Sequence, residues 1–201
     1  GGNVKDMRDR TGMFSGDPFD QAEAYRQGIQ RIPRAIQSLN VPIVAAANGP
    51  AVGAGCDLAT MCDIRIASSK AMFAESFVQL GLIPGDGGAW FLPRAVGFSN
   101  ASLMALTGDP VKAEEALRIG LVSMVVEPEE LLTKAQGIAA RIAANPPHAV
   151  RLPNNYCVVA RPVVLTKCSI SLRPFRRSAM PRPITMKPSR HFLKNARVTT
   201  E

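Results

Sequence analysis

Between an apolar run, Pro42 to Ala47, and a short stretch of helical character, Cys56 to Met61, the chain places Asn48-Gly49-Pro50 and then Gly53-Ala54-Gly55. Small residues at a strand-to-helix junction let another molecule come close to the main chain. The first turn of the helix that follows has N–H groups without intrahelical partners. Aimed at one point, such donors stabilise negative charge on an oxygen. The same glycines also permit tight helix–strand packing, and spacing alone leaves both readings open. Neither GxxxxGK[ST] nor GxGxxG is spelled here, which disfavours a nucleotide-phosphate cradle. His148 and His191 have no cysteine, histidine or carboxylate at metal-ligand spacing, so no metal site is expected. No Ser/His/Asp arrangement stands out.

Groups of this kind need a rigid frame. Ala24, Ile29, Ile32, Ala35 and Ile36 recur at three- and four-residue steps and predict a helix over 18–39, kinked or divided by Pro33. Pro42 to Ala47 is too short for a helix and reads as a strand buried on both faces, and Asn48-Gly49-Pro50 as a turn. A short helix over 56–61 is expected next, then strands at 62–67 and 71–74. The glycine- and proline-rich stretch 81–88 precedes a helix through Ala95, and another helix covers 98–107. Asp109-Pro110 reads as N-cap and first residue of a helix over 110–119. A strand at 121–126 and a long helix at 128–144 complete the pattern. Alternation of this sort predicts an α/β fold with largely parallel pairing.

Composition sets the class. The chain has 201 residues, 46% hydrophobic and 20% charged, as a soluble globular protein has. No apolar run is long enough to span a bilayer, and no leader of charged-then-apolar type opens the chain. The first residue is Gly1 rather than Met, which predicts an incomplete or processed N-terminus. The net charge of +8 is unevenly spread: residues 1–152 carry a net −1 and residues 153–201 a net +9. Cys56, Cys62, Cys157 and Cys168 show no CxxC spacing and read as free thiols of a reducing, cytoplasmic compartment rather than disulfides.

The run from Asn48 to Asp63 closely resembles the NGxAxGGGxELxxxCD segment of the enoyl-CoA hydratase/isomerase (crotonase) superfamily. Gly1 to Met7, Leu80 to Ala89 and Thr107 to Val126 are similar to three further motifs of that family, in the same order. The resemblance spans residues 1–152. It implies a crotonase-like fold of the ClpP/crotonase ββα spiral type, incomplete at both ends, with 1–152 forming an acyl-CoA-binding core. It also implies an enoyl-CoA hydratase (a lyase) or enoyl-CoA isomerase of fatty-acid β-oxidation, trimeric or hexameric when intact. The coenzyme A belongs to the substrate, and no separate cofactor is needed.

Carried over by position, the oxyanion hole that grips the thioester carbonyl would be formed by the amides of Gly2 and Ala54. Substrate would touch Gly1, Asn3, Val4, Gly49, Gly53, Phe77, Leu80 and Gly81, and Lys5 would be a solvated lysine or a partner of the CoA phosphates. The first of the family's two carboxylates falls on Asp57, one methylene shorter than the usual Glu. The second falls on Phe77, which moves no proton. Glu75 shares Phe77's strand face by alternation, although a surface or salt-bridged position is the commoner fate of such a residue. Asp86, flanked by Gly85, Gly87 and Gly88, is either a helix N-cap or the substitute carboxylate; with Asp57 it would move a proton between carbons or activate water. Trp90 and Phe91 are further candidates for the acyl pocket, or plain core. Phe77 also admits an alternative: a catalytically inactive acyl-CoA-binding homologue.

After Leu152 the pattern changes. Proline, arginine and serine become frequent and only one acid, Glu201, remains. Residues 153–201 therefore read as a basic tail, out of frame and disordered. Synonymous codons for these residues, read one base earlier, encode a mixed-charge segment with helical spacing that ends as this family ends. The tail offers only Tyr156, Phe175 and Phe192 as stacking aromatics, so no nucleic-acid partner is expected, and no membrane partner either.

Overall fold

The computed structural model describes residues 3–151; Gly1, Gly2, Cys157, Cys168 and the whole 153–201 segment, with the expectations placed on them, lie outside the described residues. The chain opens with α1 (Val4–Asp9) and a 3-10 turn, Gly12–Phe14. The long helix predicted over 18–39 is two helices, α2 (Pro18–Gln27) and α3 (Arg31–Ser38). The break falls at Gly28 (φ −100°, ψ −102°), before Pro33. Pro33 sits inside the first turn of α3, where a missing N–H costs nothing. α2 starts with a reciprocal cap: Asp17 accepts from the amides of Phe19 (2.7 Å) and Asp20 (3.0 Å), and Asp20 accepts from the Asp17 amide (3.2 Å).

Two three-stranded sheets follow. β1 (Val44–Ala47), β3 (Ile64–Ser68) and β6 (Met124–Val126) form one, ordered β1-β3-β6 and wholly parallel. The other has the order β2-β4-β5, from β2 (Pro50–Val52), β4 (Met72–Ala74) and β5 (Val111–Lys112), with a parallel and an antiparallel pair. β2 was not expected: Pro50 starts a strand because its missing N–H is tolerated at a strand's first residue. Asp109-Pro110 does not open a helix. Val111 and Lys112 pair with Phe73 and Met72 instead, and α6 (Ala113–Arg118) begins with Lys112 as its N-cap.

Helices cover these sheets. α4 (Ala54–Met61) follows β2 directly, α5 (Gly88–Thr107) changes direction at Gly97 (φ 77°), and α7 (Leu131–Ala143) packs on β1 and β3. The main core joins Cys56, Ala67, Phe73, Leu92, Val96, Met104 and Leu121; Phe73 is fully buried, worth roughly 1.5–3 kcal/mol. Met61, Trp90 and Phe91 form a second cluster with Ile36 of α3, so Trp90 and Phe91 are core residues. The guanidinium of Arg65 joins β3 to the turn before β6 by donating to the Leu121 carbonyl (2.6 Å). Among the described residues no helix is long and apolar enough to cross a membrane.

Candidate functional site

The glycine turn between β2 and α4 adopts a conformation few other residues tolerate. Gly53 has φ 55° and ψ −120°, and its amide donates to the Ala74 carbonyl (2.8 Å), tying the turn to the end of β4. A Cβ at Gly53 would lie 3.6 Å from the Phe77 ring. The turn therefore packs against Phe77 and also starts a helix: the packing and donor readings describe one arrangement. Among the described residues nothing accepts a hydrogen bond from the Ala54 amide, and no side chain caps α4.

One turn into α4 lies Asp57, with none of its surface exposed. Glu75, after β4, is 1% exposed, and Asp86, in the loop before α5, 3%. The structure thus corrects the surface or salt-bridge expectation for Glu75: the residue turns inward, toward α4. It also removes the N-cap reading of Asp86, since the N-cap of α5 is Gly87 and no described side chain caps that helix. Among the described residues, nothing donates a hydrogen bond to either carboxylate oxygen of Asp57, to either of Glu75 or to Oδ1 of Asp86.

Glycine makes the approach of these segments possible. A Cβ on Gly88 would come within 2.7 Å of Asp57 Cγ, and one on Gly87 (φ 130°) within 2.9 Å of Met61 Cε. Asp57 is thereby held between α4 and the first turn of α5. Gln30 fixes the loop from the other side, its Nε2 donating to the Gly85 carbonyl at 3.0 Å. The Tyr25 ring lies 3.4 Å from where a Gly85 Cβ would stand and meets Phe14 edge-on at 6.5 Å. Sequence reasoning passed over Gln30 and Tyr25, because a helical polar and an aromatic residue carry no mark of what lies 55–60 residues downstream.

Electrostatics follow from this burial. Desolvation first, then the neighbouring Asp86 and Glu75 carboxyls, pushes the Asp57 carboxyl well above the usual range. Burial likewise raises Glu75, with the charge of Asp86 adding to it, while its contacts to Asp57 and the Cys56 thiol oppose the rise. The Cys56 thiol is pushed up by burial and then by Glu75 and Asp57. Tyr25 is raised by burial, then by the charges of Asp86 and Asp57. Cys56 and Cys62 are free thiols.

The other expected residues are placed less centrally. Asn3 caps α1, its Oδ1 accepting from the Lys5 amide (3.1 Å); Val4 begins that helix, and Lys5 is exposed. Phe77 is 5% exposed, Leu80 ends the 3-10 turn Ser76–Leu80, and Gly81 (φ 68°) caps it. A Cβ on Gly49 would meet open space. A groove of about 510 Å³ runs between β1 and α7, but none of the three carboxyls lines it. Among the described residues no cluster fit to hold a metal ion occurs.

This order of strands and helices around a glycine turn is a crotonase-like fold. A solved enoyl-CoA hydratase/isomerase from Mycobacterium abscessus superposes with a TM-score of 0.68 at 35% identity, over 72% of this chain and 56% of that one. The model of the Enoyl-CoA hydratase/isomerase family matches residues 8–162, and the chain belongs to that family. The short-chain-enoyl-CoA hydratase of Clostridium acetobutylicum is 49% identical over 122 residues, 61% of this chain and 47% of the relative. The crotonyl-CoA hydratase of Syntrophomonas wolfei is 49% identical over 123 residues, again 61% and 47%. The chain spans about half the length of these relatives.

Proposed function

We propose that this chain carries the reacting centre of an enoyl-CoA hydratase or isomerase that stabilises an enolate of an acyl-CoA thioester. One observation carries the reading: a buried carboxyl, Asp57, stands one helical turn from the unpartnered Ala54 amide. The amide would share the thioester oxygen with that of Gly2. A single such donor contributes about 3–4 kcal/mol to lowering a barrier of this kind. Asp57, with a raised affinity for protons, is suited to give or take one at the carbon beside the carbonyl. Asp86 is the second carboxyl in reach of Asp57 and would relay the proton or orient water. Asn3, Val4, Gly49, Gly53, Phe77, Leu80 and Gly81, with Gly1, would line the acyl-CoA path. Coenzyme A would arrive with the substrate, and no further cofactor is required.

Hydration is the favoured chemistry, since both curated relatives above are named as hydratases. The free thiols Cys56 and Cys62 support a cytoplasmic setting. Exposed Phe98, Leu103 and Leu106 on α5 support self-association, as a trimer or a pair of trimers. Crotonyl-CoA and a 3-enoyl-CoA assayed with Asp57→Asn test the reading. We expect kcat to fall about 10²- to 10⁴-fold with KM nearly constant; an unchanged kcat overturns it. Phe77 at the second carboxylate position favours a second reading, an inactive acyl-CoA binder, which predicts binding without turnover of either substrate.

A further inference from the structure

Glu75 has no place in the scheme above, yet it is as buried as Asp57 and lacks a donor on both oxygens. Asp57 is central to the trio: the Gly53 amide bonds the Ala74 carbonyl (2.8 Å) and the Gly53 carbonyl accepts from the Asp57 amide (3.0 Å), which brings the residue before Glu75 against the start of α4, and both Glu75 and Asp86 raise the proton affinity of Asp57. A bond between two carboxyls requires a proton on one of them, because an ionised carboxylate only accepts.

The surroundings leave few other ways to satisfy Glu75. From α4 it meets Cys56, whose thiol lies alongside short of a formed hydrogen bond, and Asp57. From the loop before α5 it faces Asp86, and beyond Asp57 and Asp86 stands Tyr25 of α2. β2 brings no titratable residue to β4. β5 brings Lys112, which pairs with Met72, three residues from Glu75. On α6, Glu115 and Arg118 pair with each other and Glu114 is exposed. Among the described residues no lysine, arginine or histidine forms an ion pair with Glu75 or Asp57. Two ionised carboxylates side by side and dry repel strongly.

We propose that Glu75 is a positioning residue that shares a single proton with Asp57 and so fixes the protonation state and orientation in which Asp57 meets the substrate. The inference rests on the reading of Asp57 as the proton-transfer group. The proton moves along one hydrogen bond between the two carboxyls: held on Asp57 it can be given to the substrate carbon, leaving both carboxyls ionised until water returns one proton, and held on Glu75 it leaves Asp57 ionised and able to take one.

The test is a carbon-13 NMR titration of the full chain labelled at Asp Cγ and Glu Cδ. One Glu and one Asp signal should titrate together, in the same two steps, with the upper step above the ordinary carboxylate range. In Glu75→Gln the amide donates to Asp57 and holds it ionised. The upper Asp step then moves down by at least one pH unit, a tenfold change in the proton equilibrium, and the acid limb of kcat/KM moves the same way. The proposal is overturned if every Glu signal of the unaltered protein titrates in one ordinary step, a result that needs no variant to fold. It is equally overturned if folded Glu75→Gln leaves the Asp step in place. Full turnover in Asp57→Asn would instead remove the role of Asp57, whatever the titration shows.

Discussion

Gly88 shows how narrowly the site is cut at the level of single residues. A methyl group there would collide with the Asp57 carboxyl, the side chain on which the proposed chemistry depends. We expect Gly88→Ala to destabilise the fold by about 1–3 kcal/mol through overpacking and to abolish most turnover, as read by thermal unfolding and by kcat/KM. An unchanged melting temperature with full activity would refute the contact. The glycines around Asp86 were visible in the sequence, but their reason was not. In the sequence they only flank Asp86, whereas Gly88 makes room for a residue 31 positions earlier. Glu75 shows the opposite limit: its identity was plain, but β4 ends just before it and the chain turns inward, a bend that period-two alternation does not encode.

Elements were easier to read than their joints. The strand before Asn48, the glycine-led α4 and the divided α5 follow from apolar length, small residues and Gly97, but β1 is not buried on both faces as its apolar run suggested: its residues are half-buried and Ala46 is exposed. Pro50 read as part of a turn and Pro110 as the start of a helix, and in both places pairing with β4 turns the following residues into strand instead. Between elements, Gln30 is the link to test. It is 6% exposed at the N-cap of α3, and it reaches across to hold the carbonyl before Asp86. Gln30→Ala should cost about 0.5–1.5 kcal/mol of stability and lower kcat more than it weakens substrate binding, because the loop carrying Asp86 loses its anchor. Equilibrium urea unfolding and steady-state kinetics with crotonyl-CoA measure both effects, and an unaltered urea midpoint would show the bond to be idle.

For the molecule as a whole, the carboxyl trio makes folding sensitive to pH. Asp57 and Glu75 bind protons more tightly when folded than when unfolded. Their contribution is therefore fully present below the unfolded value of about 4. It is lost as pH rises from there through the raised folded values, by up to about 1.4 kcal/mol per pH unit for each proton held. The melting temperature should accordingly fall between mildly acidic and neutral pH, and Glu75→Gln should flatten that slope. A melting temperature that climbs over this range in the unaltered protein would contradict a proton held by the buried pair.

The bond from Gln30 to Gly85 joins positions 55 residues apart, with β1 through β4 between them along the chain. Closing so long a loop is slow relative to forming the helices themselves. The groups proposed to react are thus expected to gather late in refolding, so that a half-formed chain would have its helices well before its carboxyls meet.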